Sequence, residues 1–170
     1  DGVILTATRM GDALLARMHA ADLPFVMVGR PDFDGVSYVD VDNVGGARSV
    51  AEHLCGLGYR RIGLLGAPDS TTAGIDRLKG FVEGLAGCGM ALDPELRADG
   101  DFSQRSGYEA MQRLIPRRPD AVFVASDTMA LGALQALREA RISVPDETAI
   151  VGFDGFQPSE LSTPTLTTIR

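Results

Sequence analysis

Ala121-Val122-Phe123-Val124-Ala125-Ser126-Asp127 drives an unbroken apolar run into a carboxylate, and Ala149-Ile150-Val151-Gly152-Phe153-Asp154 does the same further along the chain. Apolar runs of this kind, bounded by turn residues, are strands covered on both faces, as in a parallel sheet. In an open parallel α/β sheet the ligand lies in the crevice outside the carboxyl ends of the strands. Asp127 and Asp154 are therefore expected to converge on one mouth.

Outward from these two strands the chain alternates strand and helix. Strands are expected over 3–7, 25–29, 38–41, 61–66 and 96–100, besides 121–125 and 148–153. Helices are expected between them. The first spans 46–57, with Asn43 as its cap, with Ala47, Val50, Ala51, Leu54 and Leu57 on one stripe, and with a stop at Gly58. The others span 75–86 (Leu78, Val82 and Leu85 inward), 105–114, and 128–140 (Ala130, Leu134 and Leu137 inward). This is a doubly wound α/β architecture. Residues 1–41 supply too few strands for an independent sheet, whereas 42–163 suit a complete lobe. The chain opens inside a strand without an initiator Met, so it reads as a piece of something longer.

Composition narrows the function. With 45% hydrophobic residues the chain can bury a core. No apolar run approaches the roughly 18 residues that cross a bilayer, and the first residues lack the basic and apolar regions of a secretory signal. A net charge of −7 argues against this segment gripping a polyanion. Arg117-Arg118, set between Pro116 and Pro119, reads as a solvated turn. Cys55 and Cys88 lack CxxC spacing, and His19 and His53 stand apart from any carboxylate or Cys pattern. No metal and no cofactor is expected, and Cys55 reads as a small buried hydrophobe. There is no GxSxG, P-loop or GxGxxG after a strand, and no His near the acids to act as base, so an enzyme is not expected.

A set of short stretches carries a resemblance. Asp1-Gly-Val-Ile-Leu5, Val41-Asp42-Asn43, Leu57-Gly58-Tyr59-Arg60-Arg61-Ile62-Gly63, Arg77-Leu78-Lys79-Gly80-Phe81, Ser126-Asp127-Thr-Met-Ala130, Val144-Pro145-Asp146, Val151-Gly152-Phe153-Asp154 and Pro164-Thr-Leu-Thr-Thr-Ile-Arg170 resemble, in order and spacing, the effector-binding core of LacI/GalR-type transcriptional repressors. The resemblance implies a periplasmic-binding-protein-like fold of two lobes, each a doubly wound parallel sheet, the first incomplete in this chain. It places crossovers near Val41 to Asn43 and near Ser162 to Thr165, with 164–170 returning toward the first lobe. It further implies a small-molecule effector, a sugar above others, held between the lobes. Operator DNA would be read by a helix-turn-helix absent from this chain, in a cytoplasmic homodimer. A periplasmic sugar-binding receptor of a transport system shares the fold and is the competing reading.

On that resemblance Arg77 is a ligand contact, its planar guanidinium suited to hydroxyls or a carboxylate, against a plain helix-start pairing with Asp76 or Glu83. Asp154 accepts from ligand hydroxyls, since a buried carboxylate with no partner is costly. Asp127 serves either as a ligand acceptor or as the N-cap of the following helix, and capping is favoured. Ser126 stands where the family usually carries Asn. Phe102 matches an aromatic position that stacks on ligand, with core packing as the alternative. Thr6 is a further candidate at the end of the first strand. Gly29 replaces an acidic residue found before Arg30-Pro31 in sugar-binding relatives and leaves room for a larger ligand such as a disaccharide. The helix 128–140 and the segment 155–161 resemble the dimer surface, with Met129, Leu131 and Phe156 as an apolar patch or, equally, as core.

Overall fold

In the computed structural model, which describes residues 2–6, 9–156 and 162–170, the strands form two parallel sheets. The smaller is ordered β1-β2-β3, from Val3–Leu5, Phe25–Val28 and Tyr38–Val39. Helix α1 (Ala13–Ala20) links β1 to β2. The sequence reading left α1 out. Its signals were present in Asp12, whose carboxylate accepts from the Leu14 amide, and in the spacing of the buried Leu15 and Met18.

The larger sheet is ordered β5-β4-β6-β7-β8, from Arg97–Asp99, Ile62–Gly66, Ala121–Val124, Ala149–Phe153 and Thr167–Ile169. Residues 167–169 thus do not form a bare crossover. They extend this sheet as its edge strand, Val151 opposite Thr167 and Phe153 opposite Ile169. The order runs to β5 on one side of β4 and to β6 on the other, so the topological switch point lies between β4 and β6.

Helices α2 (Asn43–Gly56) and α3 (Thr72–Gly87) cover one face of this sheet, and α4 (Gln104–Leu114) and α5 (Asp127–Glu139) the other. Strand alternation divides the core accordingly. Ile62, Leu64, Ala121 and Phe123 face α2 and α3, while Leu65, Val122 and Val124 face α4 and α5. The inward stripes need two corrections. Leu57, just past α2, is 63% exposed and Val82 on α3 is 40% exposed, while Phe81 is fully buried. The cap of α2 is also one residue earlier than expected. The Asp42 carboxylate accepts from the Gly45 amide, and Asn43 is a buried helical residue with other duties.

Glycine sets the distance between paired helices. A Cβ at Gly80 or Gly84 of α3 would strike the backbone of Val44 or Arg48 on α2, and one at Gly107 or Gly132 would strike across the α4–α5 contact. Met129 is completely buried in that second interface, so it is core and supplies no exposed patch. Leu131 is half-buried and Phe156 is 49% exposed. Residues 157–161, the rest of the expected dimer segment, lie outside the described residues.

Candidate functional site

The close packing of α2 on α3 decides where Arg77 goes. With Gly80 against Val44, the preceding turn of α3 delivers Arg77 to the start of α2 and the carboxyl end of β6. Its Nε donates to Asn43 Oδ1 at 2.8 Å, and its Nη1 donates to the Ala125 carbonyl at 2.6 Å. The same Nη1 lies 2.9 Å from Asp154 Oδ1, and the guanidinium carbon sits 3.9 Å from the centre of the Phe153 ring. Helix-start pairing fails as an account of this arginine, because Asp76 and Glu83 are engaged by Arg30 and Arg48.

Asp154 is half of this arrangement and keeps 40% of its side chain open to solvent. Burial of the remainder pushes its carboxyl above the ordinary value, against the opposing pull of Arg77 and a hydrogen bond from Ser126. Burial likewise lowers Arg77, with Asp154 acting in the other direction. The backbone at Asp154 has φ 110°, a region that L-residues rarely enter. Phe102 is held at φ 70°. Strained residues of this kind persist where the surrounding structure fixes them, and they collect at ligand sites.

Asp127 does something else. Its carboxylate accepts from the Phe156 amide at 2.7 Å and from the Thr168 hydroxyl at 2.6 Å, with no exposure to solvent. A side chain at Gly152 would occupy the same space. Asp127 is therefore the first residue of α5 and not its N-cap. It ties the end of β6 to β8 and to the turn after β7. The capping position belongs to Ser126, whose side chain makes no cap bond and turns instead to Asp154.

A cavity of about 440 Å³ opens between the lobes, beyond the carboxyl ends of β2, β4 and β5; Arg77, Ser126, Asp127 and Asp154 are not among its lining residues. Arg9, Val28, Gly29 and Arg30 line it from the first lobe, and Thr71, Thr72 and Phe102 are among its residues from the second. A Cβ on Gly29 would meet nothing within 4 Å, so the cavity is open there, and the φ of 100° at this position itself favours glycine. Beside Phe102, hydrogen bonds from Ser103 and then Ser106 hold the Asp101 carboxyl down at about 2. Thr6 is exposed at the end of β1 and is not among the residues that line this cavity. A larger cavity, about 740 Å³, lies at the opposite end of the second lobe, bordered by Met111, Ile115, Arg118 and Glu147. It is remote from the strand carboxyl ends.

The sequence reading missed the residues that join the lobes. Arg30 and Asp76 form a forked pair, Nη2 to Oδ1 at 2.9 Å and to Oδ2 at 2.8 Å with Nε to Oδ2 at 3.2 Å. The Thr72 hydroxyl donates to the Arg30 carbonyl at 2.7 Å, and the Met10 amide donates to the Ser70 carbonyl at 2.8 Å. At the crossover, Asn43 Nδ2 donates to Asp40 Oδ1 at 3.1 Å, and Asp40 Oδ2 accepts from the Arg30 backbone amide at 3.0 Å. The Asp-Asn doublet at 42–43 was the available signal, and it fits a helix cap as well as a polar relay.

Comparison with known proteins agrees with this fold. A family model described as periplasmic binding protein-like domain matches residues 51–170. The transcriptional regulator CelR of Thermobifida fusca is 41% identical across all of this chain, which covers 52% of CelR. The repressor CytR of Escherichia coli K12 is 36% identical over 99% of the chain, which covers 50% of CytR. The chain thus spans about half the length of these relatives. Among solved structures, a CelR–cellobiose complex superposes with a TM-score of 0.94 at 40% identity, over 99% of this chain and 53% of that one. A putative LacI regulator from Bacillus cereus subsp. cytotoxis superposes at 0.93 and 34% identity, over 98% of this chain and 61% of that one. The fold is that of these proteins: the chain belongs to the periplasmic-binding-protein-like domain family, and its relatives are LacI-type transcriptional regulators.

Proposed function

We propose that this chain is the effector-sensing core of a LacI-type transcriptional repressor, taking up a sugar in the crevice between its lobes and passing the event to an operator-binding domain outside it. The observation that carries the reading is the Arg77–Asp154 pair at the carboxyl ends of β6 and β7, together with an inter-lobe cavity lined by Phe102 and by Arg30, whose partner Asp76 directly precedes Arg77. Paired donors and acceptors fixed in place, with an aromatic face to cover the C–H side of a ring, suit a polyhydroxylated ligand. The open space at Gly29 and the cellobiose held by the CelR relative point to a disaccharide. The protein acts by binding and not by catalysis, in the cytoplasm and as a homodimer, since a two-fold operator asks for a two-fold reader. Asp127 and Ser126 orient Asp154 and its strand end, and ligand contact falls to Arg77, Asp154 and Phe102.

Switching needs differential affinity. A sugar that touches both lobes stabilises their closed arrangement only by the extra contacts made there, and a few kcal/mol is enough. The test is calorimetric titration of the intact protein with cellobiose and other disaccharides, together with anisotropy of labelled operator DNA. Arg77→Ala and Asp154→Ala are each expected to weaken sugar binding by about tenfold or more, the loss of a charge-assisted hydrogen bond, and to blunt the sugar's effect on DNA. Unchanged affinity in both variants would remove the site. Tight sugar binding with no effect on DNA would favour a transport receptor.

A further inference from the structure

Three sulfur atoms meet at the end of the second lobe away from the crevice. Cys55 lies in the last turn of α2, and Cys88 is the C-cap of α3. The two helices run side by side in the same direction, Gly80 against Val44 and Gly84 against Arg48 and Ala51. One further turn on each brings position 88 opposite position 55. Because neither glycine has a Cβ, the axes approach closely, and Cys88 comes to face Cys55 across the helix contact.

The chain after Cys88 completes the cluster. Gly89 takes φ 73°, its amide donates to the Ala86 carbonyl and the Met90 amide donates to the Leu85 carbonyl, both at 2.9 Å. This helix ending, with its glycine in the left-handed region, folds the next residue back over the final turn. Met90 Sδ is thereby set 3.8 Å from Cys55 Sγ. Cys55 and Met90 border the apolar core, and Cys88 is exposed, which leaves an entry path.

We propose that Cys55, Cys88 and Met90 form a binding site for a soft monovalent cation, Cu(I). Two thiolates and a thioether are the donor set that selects this ion over harder ones. Among the described residues no group of three or more His, Cys, Asp and Glu gathers in one place, so the four-ligand shell of a structural zinc site is not available. Metal–sulfur bonds of about 2.3 Å in a trigonal arrangement put the sulfurs about 4 Å apart, which the Cys55–Met90 separation already approximates. Binding takes one Cu(I) and releases one proton from each thiol, giving a bis-thiolate thioether complex of net charge −1 and two free protons. Arg60, whose Nη1 lies 3.5 Å from the Cys55 carbonyl, offers positive charge beside that complex. Burial, then the hydrogen bond with Cys88, push the Cys55 thiol up to about 11, so the metal-free site is not an activated nucleophile.

The test is competition for Cu(I) between the reduced, intact protein and bathocuproine disulfonate under anaerobic conditions, read by the chelator's absorbance. One equivalent per chain is expected to pass to the protein, with three sulfur neighbours by X-ray absorption. Cys55→Ser is expected to abolish that transfer. Cys88→Ala does the same at an exposed position where the fold is not at stake, with circular dichroism as control. Met90→Leu keeps two sulfurs and holds the metal more weakly. Failure of the wild type to withdraw copper, a full equivalent retained by the Cys55→Ser/Cys88→Ala double variant, or an unchanged sulfur count in Met90→Leu would overturn the proposal.

Discussion

Asp154 shows how one side chain carries both strain and charge. Its carboxyl sits above the ordinary range because burial outweighs the help it receives from Arg77. Raised in this way, it takes up a proton at a pH where an exposed aspartate would remain ionised. A ligand hydroxyl needs the ionised form as acceptor, so affinity is expected to be full above the shifted value and to fall as pH drops through it, by about tenfold per unit once the proton is on. Titrating sugar affinity from pH 7 downward checks this; the decline should begin above the value of 3.8 ordinary for aspartate, and Asp154→Asn should flatten it. At this scale the sequence marked Arg77 and Asp154, which the structure pairs at 2.9 Å, because an arginine after a Ser/Thr/Gly loop and an acid at a strand end both fall at the carboxyl edge of the sheet. It was uninformative about Asp127. A carboxylate before a helix satisfies the capping pattern whether or not it caps, and only the positions of Phe156 and Thr168, distant in sequence, show which bonds it makes.

Elements were legible wherever their burial imposed a pattern. The strands at 121–124 and 149–153 are buried at every position, and their apolar runs were plain in the sequence. Helix α1 and strand β8 were missed for a shared reason. Each is short and half-wrapped, α1 burying only Leu15 and Met18, and β8 being a polar edge strand of Thr167, Thr168 and Ile169. Helix pairing was also invisible, since periodicity marks which face is apolar and not how near the partner comes. That distance is set by glycine, and Gly84→Ala tests it. The new Cβ would fall 2.7 Å from the Ala51 Cβ and from the Arg48 carbonyl oxygen. Overpacking of this sort costs about 1–3 kcal/mol. The urea midpoint should drop by the corresponding amount with an unchanged slope, whereas Gly87→Ala, which meets nothing within 4 Å, should leave the midpoint within error.

Across the whole molecule, the two lobes are joined by a chain of polar contacts from Asp154 through Arg77, Asn43 and Asp40 to Arg30, which returns to the second lobe at Asp76. The Arg30–Asp76 pair is partly open to solvent, with 42% of the arginine side chain exposed, so its contribution is modest, about 0.5 kcal/mol. Asp76→Asn is therefore expected to lower sugar affinity roughly twofold and to enlarge the ligand-free molecule slightly by small-angle scattering; no change in either would mean that the pair does not hold the lobes. Lobe architecture was readable from the order of strands and helices, but these bridging pairs were not, because nothing local marks Arg30 for Asp76. One consequence falls on how such a protein diversifies. Arg77 is committed to Asn43 and the Ala125 carbonyl, and replacing it would loosen the crossover along with the pocket. New effector preferences should therefore arise on the opposite wall, at Arg9 and Val28, where a lineage can exchange side chains without disturbing the hinge.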